Sequence, residues 1–496
     1  LQVVRAKFDS AQTTPDNRRH WANVDGLSAD AAANAAVRRT LRNRARYEVA
    51  NNSYARGIVL TLANDVTGTG PRLQMLTDSA EVNNTVEREF AAWARAVDLP
   101  ATLRTMRMAR AQDGEAFAVL FSNDDLDSPV KLDLRLIEAE QVASPALVLA
   151  KAGTPGANAV DGIVFDAFGN PSQYHVLKAH PGGGTLAGAL DYDTIPAASV
   201  IHWFRADRAG QRRGVPEITP ALPLFAQLRR YTLAVLAAAE TAADFAAVLF
   251  TDAPANGEAQ SLEPMDVIDL EKRMATVLPD GWRLGQIEAQ QPTTTYGEFK
   301  REILNEIARC LNMPYNIAAC NSSGYNYASG RLDHQTYYKS IRVEQSHCET
   351  VVLDHILSGW LAEAVKVFGL DMAGRSGSGN APSSAKSPTR HSRFGDGAAT
   401  EGTDALHQWF WDGHEHVDPA KEANAQATRL ASNTTTLAAE YARQGKDWET
   451  ELRQRAKEVA LCKELGLTVA QAAPTPPDQV KEDQSDEDQQ SQSRAA

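Results

Sequence analysis

The residue types able to do chemistry gather in a few places along the chain. His414-Glu415-His416, with Asp412 and Asp418 close by, brings together groups that ligate divalent metals, and a metal-dependent hydrolase built on this stretch is one expectation. Neighbouring residues on a loop seldom converge on one ion. A polar loop after the Trp409-Phe410-Trp411 anchor is therefore the competing expectation. His347, Asp354 and His355 fall within one helical stretch, where positions 347 and 354 share a face, and a subunit contact explains them better than a metal does. No Gly-x-x-x-x-Gly-Lys-Ser/Thr loop and no His-Glu-x-x-His occurs. Gly68-Thr69-Gly70 lacks the third glycine of a dinucleotide loop, and Pro71 removes a backbone donor there. The run from Gly374 to Gly379 does not fit Gly-x-Ser-x-Gly. These patterns predict no ATP hydrolysis, no catalytic residue and no cofactor.

The elements that position the remaining candidates lie between Thr295 and Phe368. Phe299, Ile303, Ile307 and Leu311 recur every four residues and predict one apolar helical face, with Pro314 as its stop. Glu298, Glu302 and Glu306 line the opposite face. They form either a solvated surface or a negatively charged wall against something that must not stick, such as a DNA backbone. Asn316 to Gly330 is small, polar and aromatic without helical period, and predicts an exposed loop. A second, longer helix is expected from about Arg331, with Ile341, Cys348, Val352, Ile356, Trp360 and Ala364 on one stripe.

The chain has 496 residues, enough for two to four domains, and a formal net charge of −13. A protein that grips phosphates usually carries a basic surface, so any nucleic-acid contact here must be weak. Cys310, Cys320, Cys348 and Cys462 lack paired spacing, which predicts a reducing compartment without a disulfide framework. The opening LQVVRAKFDSAQ predicts no signal peptide, and without Met residue 1 need not be the natural start. Tyr231 to Thr251 is apolar but interrupted by Glu240 and Asp244, and predicts a helix buried in a large assembly in preference to a membrane span.

Ser28 is a candidate N-cap for a helix running to Val66. Its Arg38, Arg39, Arg42, Arg44 and Arg46 form either a solvated or subunit-facing surface, or a phosphate contact. Helices over Val82 to Val97 and Ala101 to Gln112 follow, then strands in EAFAVLFS, KLDLRLIEAEQV and SVIHWF. Phe168-Gly169-Asn170-Pro171 marks a hairpin turn. An alanine-rich helix is expected over about Pro220 to Leu249. Residues 374–392 read as a linker, 401–465 as further helices with Gly445 a C-cap, and 474–496 as disordered.

The order of these pieces resembles the lambda-like portal proteins of tailed bacteriophages. The resemblance rests on Arg44-Ala-Arg-Tyr-Glu, Asn51-Asn52-Ser-Tyr54-Ala, Val66-Thr-Gly-Thr-Gly70 and Asp113-Gly-Glu-Ala-Phe117. It continues through Val200-Ile-His-Trp-Phe204, Gly210-Gln-Arg-Arg-Gly-Val-Pro216, Phe299 to Pro314, Ser323 to Ser329 and Trp411 to Ala423. It covers about Arg38 to Leu465 and leaves out the linker and the tail.

The resemblance implies a helix-rich α+β portal fold with wing, stem, clip and crown regions, assembling into a ring, usually of twelve subunits, at one capsid vertex. It implies an N-terminal arm at 1–27, a wing at 28–215, stem helices at 216–249 and 293–315, and a clip at 250–292. A tunnel loop at 316–330, a wing helix and linker at 331–400, a helical crown at 401–473 and a disordered tail at 474–496 complete the division. The implied partners are other copies of the chain, double-stranded DNA passing without sequence specificity, the terminase motor, the head–tail connector and the major capsid protein. Asn321, Ser322, Ser323, Tyr325, Asn326, Tyr327, Ser329 and Arg331 would face the DNA channel, and Glu298, Glu302 and Glu306 would line the stem. A capsid shell or scaffold protein is the remaining alternative.

Overall fold

The computed structural model describes residues 13–144, 158–183, 191–244, 248–251, 282–285, 296–370, 407–413 and 419–467. They form two compact units, Leu1–Trp411 and Asp412–Ala496. The fold is a helix-rich mixture of α and β.

The first helical stretch is broken where side chains compete for backbone N–H groups. Ser28 caps α1 (Ala29–Ala32) as expected, Asn34 caps α2 (Ala35–Asn51) and Asn52 caps α3 (Ser53–Thr67). One helix to Val66 was expected, but Asn34 Oδ1 accepts from two backbone amides, and so does Asn52 Oδ1, which starts a new helix at each. Gly70, at φ +108°, turns the chain into β1 (Arg72–Met75), and α4 (Ala80–Ala96) and α5 (Leu99–Asp113) follow.

The strands β2 (Glu115–Ser122), β3 (Leu132–Ile137), β4 (Asn158–Val160), β5 (Ile163–Phe165), β6 (Pro171–Leu177), β7 (Tyr192–Pro196) and β8 (Val200–Phe204) make two antiparallel sheets, ordered β3-β2-β8 and β4-β5-β6-β7. The hairpin expected around Phe168 is β5–β6. β2 is buried on both faces. Ala116 and Ala118 point to a cluster with Trp93, Trp203 and Trp360, whereas Phe117 and Val119 point to one with Ile163 and Tyr174. That two-residue alternation makes β2 the partition between two cores.

α6 (Leu222–Asp244) is shorter than expected, and β9 (Val248–Thr251) pairs with β10 (Trp282–Gly285) within the stretch expected to be helix and clip. Along α6, Leu222, Phe225, Leu228 and Val235 are buried but Leu233 is 56% exposed and Leu236 54%, so its apolar run is only half covered. α7 (Tyr296–Arg309), the short α8 (Tyr315–Ala318) and α9 (Tyr327–Cys348) come next. A π-helical turn, Glu349–Leu353, then joins α9 to α10 (Asp354–Phe368). A third core gathers Ile58, Leu62, Phe225, Leu304, Ile307, Tyr337 and Ile341 from α3, α6, α7 and α9.

β11 (His407–Phe410), expected among C-terminal helices, is a strand paired antiparallel with β1. Its tryptophan and the next one tie it down. Trp409 Nε1 donates to Asp354 at 2.9 Å and Trp411 Nε1 to Glu349 at 2.6 Å. The second unit holds α11 (Pro419–Ala431), α12 (Leu437–Arg443) and α13 (Trp448–Glu464), and Gly445 adopts the positive φ expected of a cap after α12. Among the described residues no helix is long and apolar enough to cross a membrane. The linker at 374–392, the tail at 474–496, most of 250–292 and residues 1–12 lie outside the described residues.

Candidate functional site

The face of α7 that packs is rotated from the expected one. Leu304, Ile307, Ala308 and Leu311 are buried, and Phe299 is 49% exposed. Phe299 instead lies beside Tyr231 of α6, ring centroids 5.0 Å apart. Glu298, Glu302 and Glu306 are all exposed, with Arg301 and Arg309 on the same open surface. The row is acidic on balance and unshielded by the other described residues.

Asn312 ends the descent from α7, not Pro314. It takes φ +53° while the Met313 amide donates to Ala308 O at 3.1 Å, the closure of a helix by a left-handed residue. Pro314 then caps α8. The open loop is shorter than expected, about residues 319–326, because α8 and the start of α9 take both ends of the 316–330 stretch. Asn326 Oδ1 accepts from the Ser329 amide at 2.8 Å and so begins α9 at Tyr327, four residues before Arg331. The structure therefore gathers Asn321, Ser322, Ser323, Tyr325 and Asn326 in one loop and puts Tyr327, Ser329 and Arg331 on the first turns of α9. Asn321, Ser322, Ser323, Asn326, Ser329 and Arg331 are exposed and Tyr325 is half-buried. Burial, with Asp333 nearby, pushes the Tyr325 hydroxyl above its ordinary value, so it stays neutral. The loop offers hydroxyls and amides without a charge.

Arg39 and Arg44 of α2 stand on an exposed surface, as one expectation had it, whereas Arg38, Arg42 and Arg46 pair with carboxylates of their own chain. Arg38 and Arg42 are buried and Arg46 is half-buried; of the five, Arg39 and Arg44 are exposed. Arg42 Nη2 lies 3.1 Å from Glu115, Arg46 Nε lies 2.6 Å from Asp113, and Arg38 pairs with Asp161. Glu115 is wholly buried and collects Arg42, Arg213, the Gly214 amide and His202 Nε2. Burial alone would raise its pKa. Arg213 and His202 overcome that and hold the carboxyl well below the usual range. A second buried group follows the same logic: Glu217 binds Arg107 and Arg110, both at 2.9 Å, and its pKa falls to about 2 against the pull of burial. The Asp113-Gly-Glu and Arg212-Arg-Gly-Val-Pro motifs are therefore two halves of one joint, a role their spacing in the sequence hides.

The histidines suspected on helical spacing find partners inside the chain. His347 Nδ1 accepts from Trp203 Nε1 at 3.3 Å beside Arg110, and His355 Nε2 lies 2.7 Å from Ala198 O. Asp354 takes Trp409 and His407. The π-turn between 347 and 354 breaks the regular spacing on which a shared face depended. Residues 414–416 lie outside the described residues. Glu138, Glu140 and His180 offer ligand atoms within 4.8 Å of one another. Arg46 Nη2 already sits 3.2 and 3.0 Å from the two carboxylates. The Gly182 amide donates to His180 Nδ1 at 3.0 Å, which leaves the ring proton on Nε2, the atom facing those carboxylates. A protonated nitrogen cannot ligate, so this donor set suits an ion-pair cluster and not a metal.

The chain belongs to the lambda family of phage portal proteins, whose pattern it matches over residues 15–345. It is 23% identical over 454 residues to a probable portal protein of Halomonas phage phiHAP-1, covering 86% of this chain and 81% of that protein. A chain of the virion of a native gene transfer agent particle aligns with 12% identity and a TM-score of 0.44, covering 85% of this chain and 95% of that one. A chain from the neck of an empty particle of the same kind aligns with 14% identity and a TM-score of 0.42, covering 68% and 87%.

Proposed function

We propose that the chain is the subunit of a portal ring, twelve copies around a channel through which double-stranded DNA enters and leaves a capsid at one vertex. The observation that carries this is family membership over residues 15–345, a span that holds the acidic row of α7, the loop at 319–326 and most of α9. In this assignment residues 28–215 are the wing, α6 and α7 the stem, the loop the tunnel element and 401–473 the crown. The region 250–292 is the clip that meets the terminase motor and then the head–tail connector, and the major capsid protein surrounds the ring. The chain works as a conduit and docking hub, and the terminase supplies the energy of translocation.

Two features support the assignment. Leu233 and Leu236 leave an apolar strip open on α6, which a second copy would cover. The loop contacts a polyanion through neutral groups, and the row beside it is acidic, so DNA would meet weak hydrogen bonds and mild repulsion in place of a lysine grip that releases counterions and holds tight. Negative-stain imaging of the purified chain should give closed rings with a central hole. Particles that stay monomeric under all assembly conditions would refute the assignment. Closed shells would favour a capsid or scaffold protein instead, and stoichiometric bound metal would favour a hydrolase.

A further inference from the structure

We infer that Asn316 is a positioning residue that holds the loop at 319–326 in one place, with His334 as its counterpart on α9. The inference rests on the loop assignment above and adds what fixes that loop.

Asn316 is 7% exposed and sits in α8, at the base of the loop. It binds the loop and α9 at separate atoms. Its carbonyl accepts from the Asn321 amide at 3.0 Å. Its side-chain Nδ2 lies 2.8 Å from His334 Nε2. The loop is thus referred at Asn321 to one residue, and that residue is referred to α9. The rest of the loop is held by its own short turns. The Ser323 amide donates to Asn321 Oδ1 at 2.9 Å and the Tyr325 amide to Ser322 O at 3.2 Å. Such local bonds shape the tip but do not fix it to the body.

Asn316 Oδ1 is buried and has no partner among the described residues. A buried amide oxygen without a donor costs free energy. A half-turn of the amide would exchange the roles, with Oδ1 accepting from a protonated Nε2. The pair therefore has a bonded arrangement for an Nε2 that carries a proton and for one that does not. The latch needs an amide at 316 and a ring nitrogen or a second amide at 334, but no fixed protonation state.

The test uses the full chain and its rings. The hydrogen-exchange rates of the Asn321 and Tyr325 amides, each held by a backbone carbonyl in the closed loop, report its opening at two places. Asn316→Ala and His334→Ala should each raise both rates about tenfold, the equivalent of one buried neutral hydrogen bond. The double variant should be no faster than the singles, because each removes the same contact. His334→Gln, which keeps a hydrogen-bonding group, should return both rates toward those of the parent. A residue with only a general structural role would lower the melting temperature in every variant, leave the loop's rates in step with the rest of α8 and α9, and show no rescue. That result would overturn the inference, as would unchanged rates in both alanine variants. Faster loop opening with undisturbed DNA packaging would support the latch while removing the loop from the channel.

Discussion

Arg213 and Glu115 meet through both arms of the guanidinium, Nη2 at 2.6 Å from Oε1 and Nε at 2.9 Å from Oε2, with neither side chain more than 2% exposed. Glu115 opens β2, the strand between two cores, and Arg213 lies in the segment leading to α6. The other nitrogen of Arg213 donates to Val142 O at 3.0 Å, and Nη2 also reaches Ala139 O at 3.1 Å. One ion pair thus ties the sheet to the chain that enters α6. Glu115→Gln removes the negative charge and leaves Arg213 buried among carbonyls. We expect a loss of about 3–5 kcal/mol, the cost of an uncompensated buried charge, measured by chemical denaturation. A loss under about 1 kcal/mol, the scale of a surface pair, would contradict this.

The same joint depends on two glycines. A Cβ on Gly214 would lie 2.0 Å from Gly114 O, and a Cβ on Gly114, at φ +90°, would lie 2.4 Å from the backbone of Val215. These neighbours are backbone and cannot swing away. Gly214→Ala should cost about 3 kcal/mol through overpacking. Gly169, also at positive φ, has open space around it. Gly169→Ala should show only the smaller cost of its backbone angle, about 1 kcal/mol. Comparing melting temperatures of the two variants separates crowding from conformation.

Acid should unfold the protein in two stages. Burial, first of all, depresses His202 and His347, so both are neutral in the fold, while the unfolded chain takes protons below its ordinary value of 6.5. Stability therefore declines as the pH falls below 6.5. Glu217 has the lowered value of about 2 against an ordinary 4.5, so its contribution is complete above pH 4.5 and disappears as the pH approaches 2. That second stage is worth about 3 kcal/mol. Denaturation midpoints followed from pH 8 to 3 should descend in both windows. His347→Gln should make the first descent shallower, His202 carrying what is left, and leave the second, whereas a flat curve from pH 8 to 5 would show that these histidines are not buried neutral.

These residues also explain what the sequence made legible. Strands and hairpins were readable because their buried positions alternate, as Phe117 and Val119 do against Ala116 and Ala118. The arginines of α2 were not, because their acceptors at 113, 115, 138, 140 and 161 lie on other elements. Periodicity reports which face is apolar but says nothing of long-range charge pairing. The loop was visible from its composition, yet its C-terminal end was misplaced because the Asn326 cap sits inside a run of turn-like residues. Asn316 looked like one more polar loop residue, and only burial distinguishes it.

The cap at Asn326 decides how the loop can be tested by mutation. Removing residues 322–329 would also take away the first turn of α9 and its cap, so a failed ring would have two explanations. Replacing Ser322 to Tyr325 with glycines keeps Asn326 and the length. Rings should form as before, and DNA packaging or retention should fall. Loss of the rings themselves would contradict the assignment of this loop to the channel.

Charge reversal on α7 tests the acidic row independently. Glu298, Glu302 and Glu306 are exposed and make no ion pair among the described residues, so changing all three to lysine should alter stability by no more than about 0.5 kcal/mol each. Their effect should appear on DNA. In a ring the reversed residues would present a basic belt, neutralise phosphates and release counterions, so binding should tighten and become steeply salt-dependent. The measurement is the slope of log affinity against log salt for rings of the parent and the triple variant with linear duplex DNA. The parent should bind weakly, and the variant should retain DNA at low salt and release it as salt rises. If the two slopes are equal, the row does not face the DNA and its charge serves the outer surface.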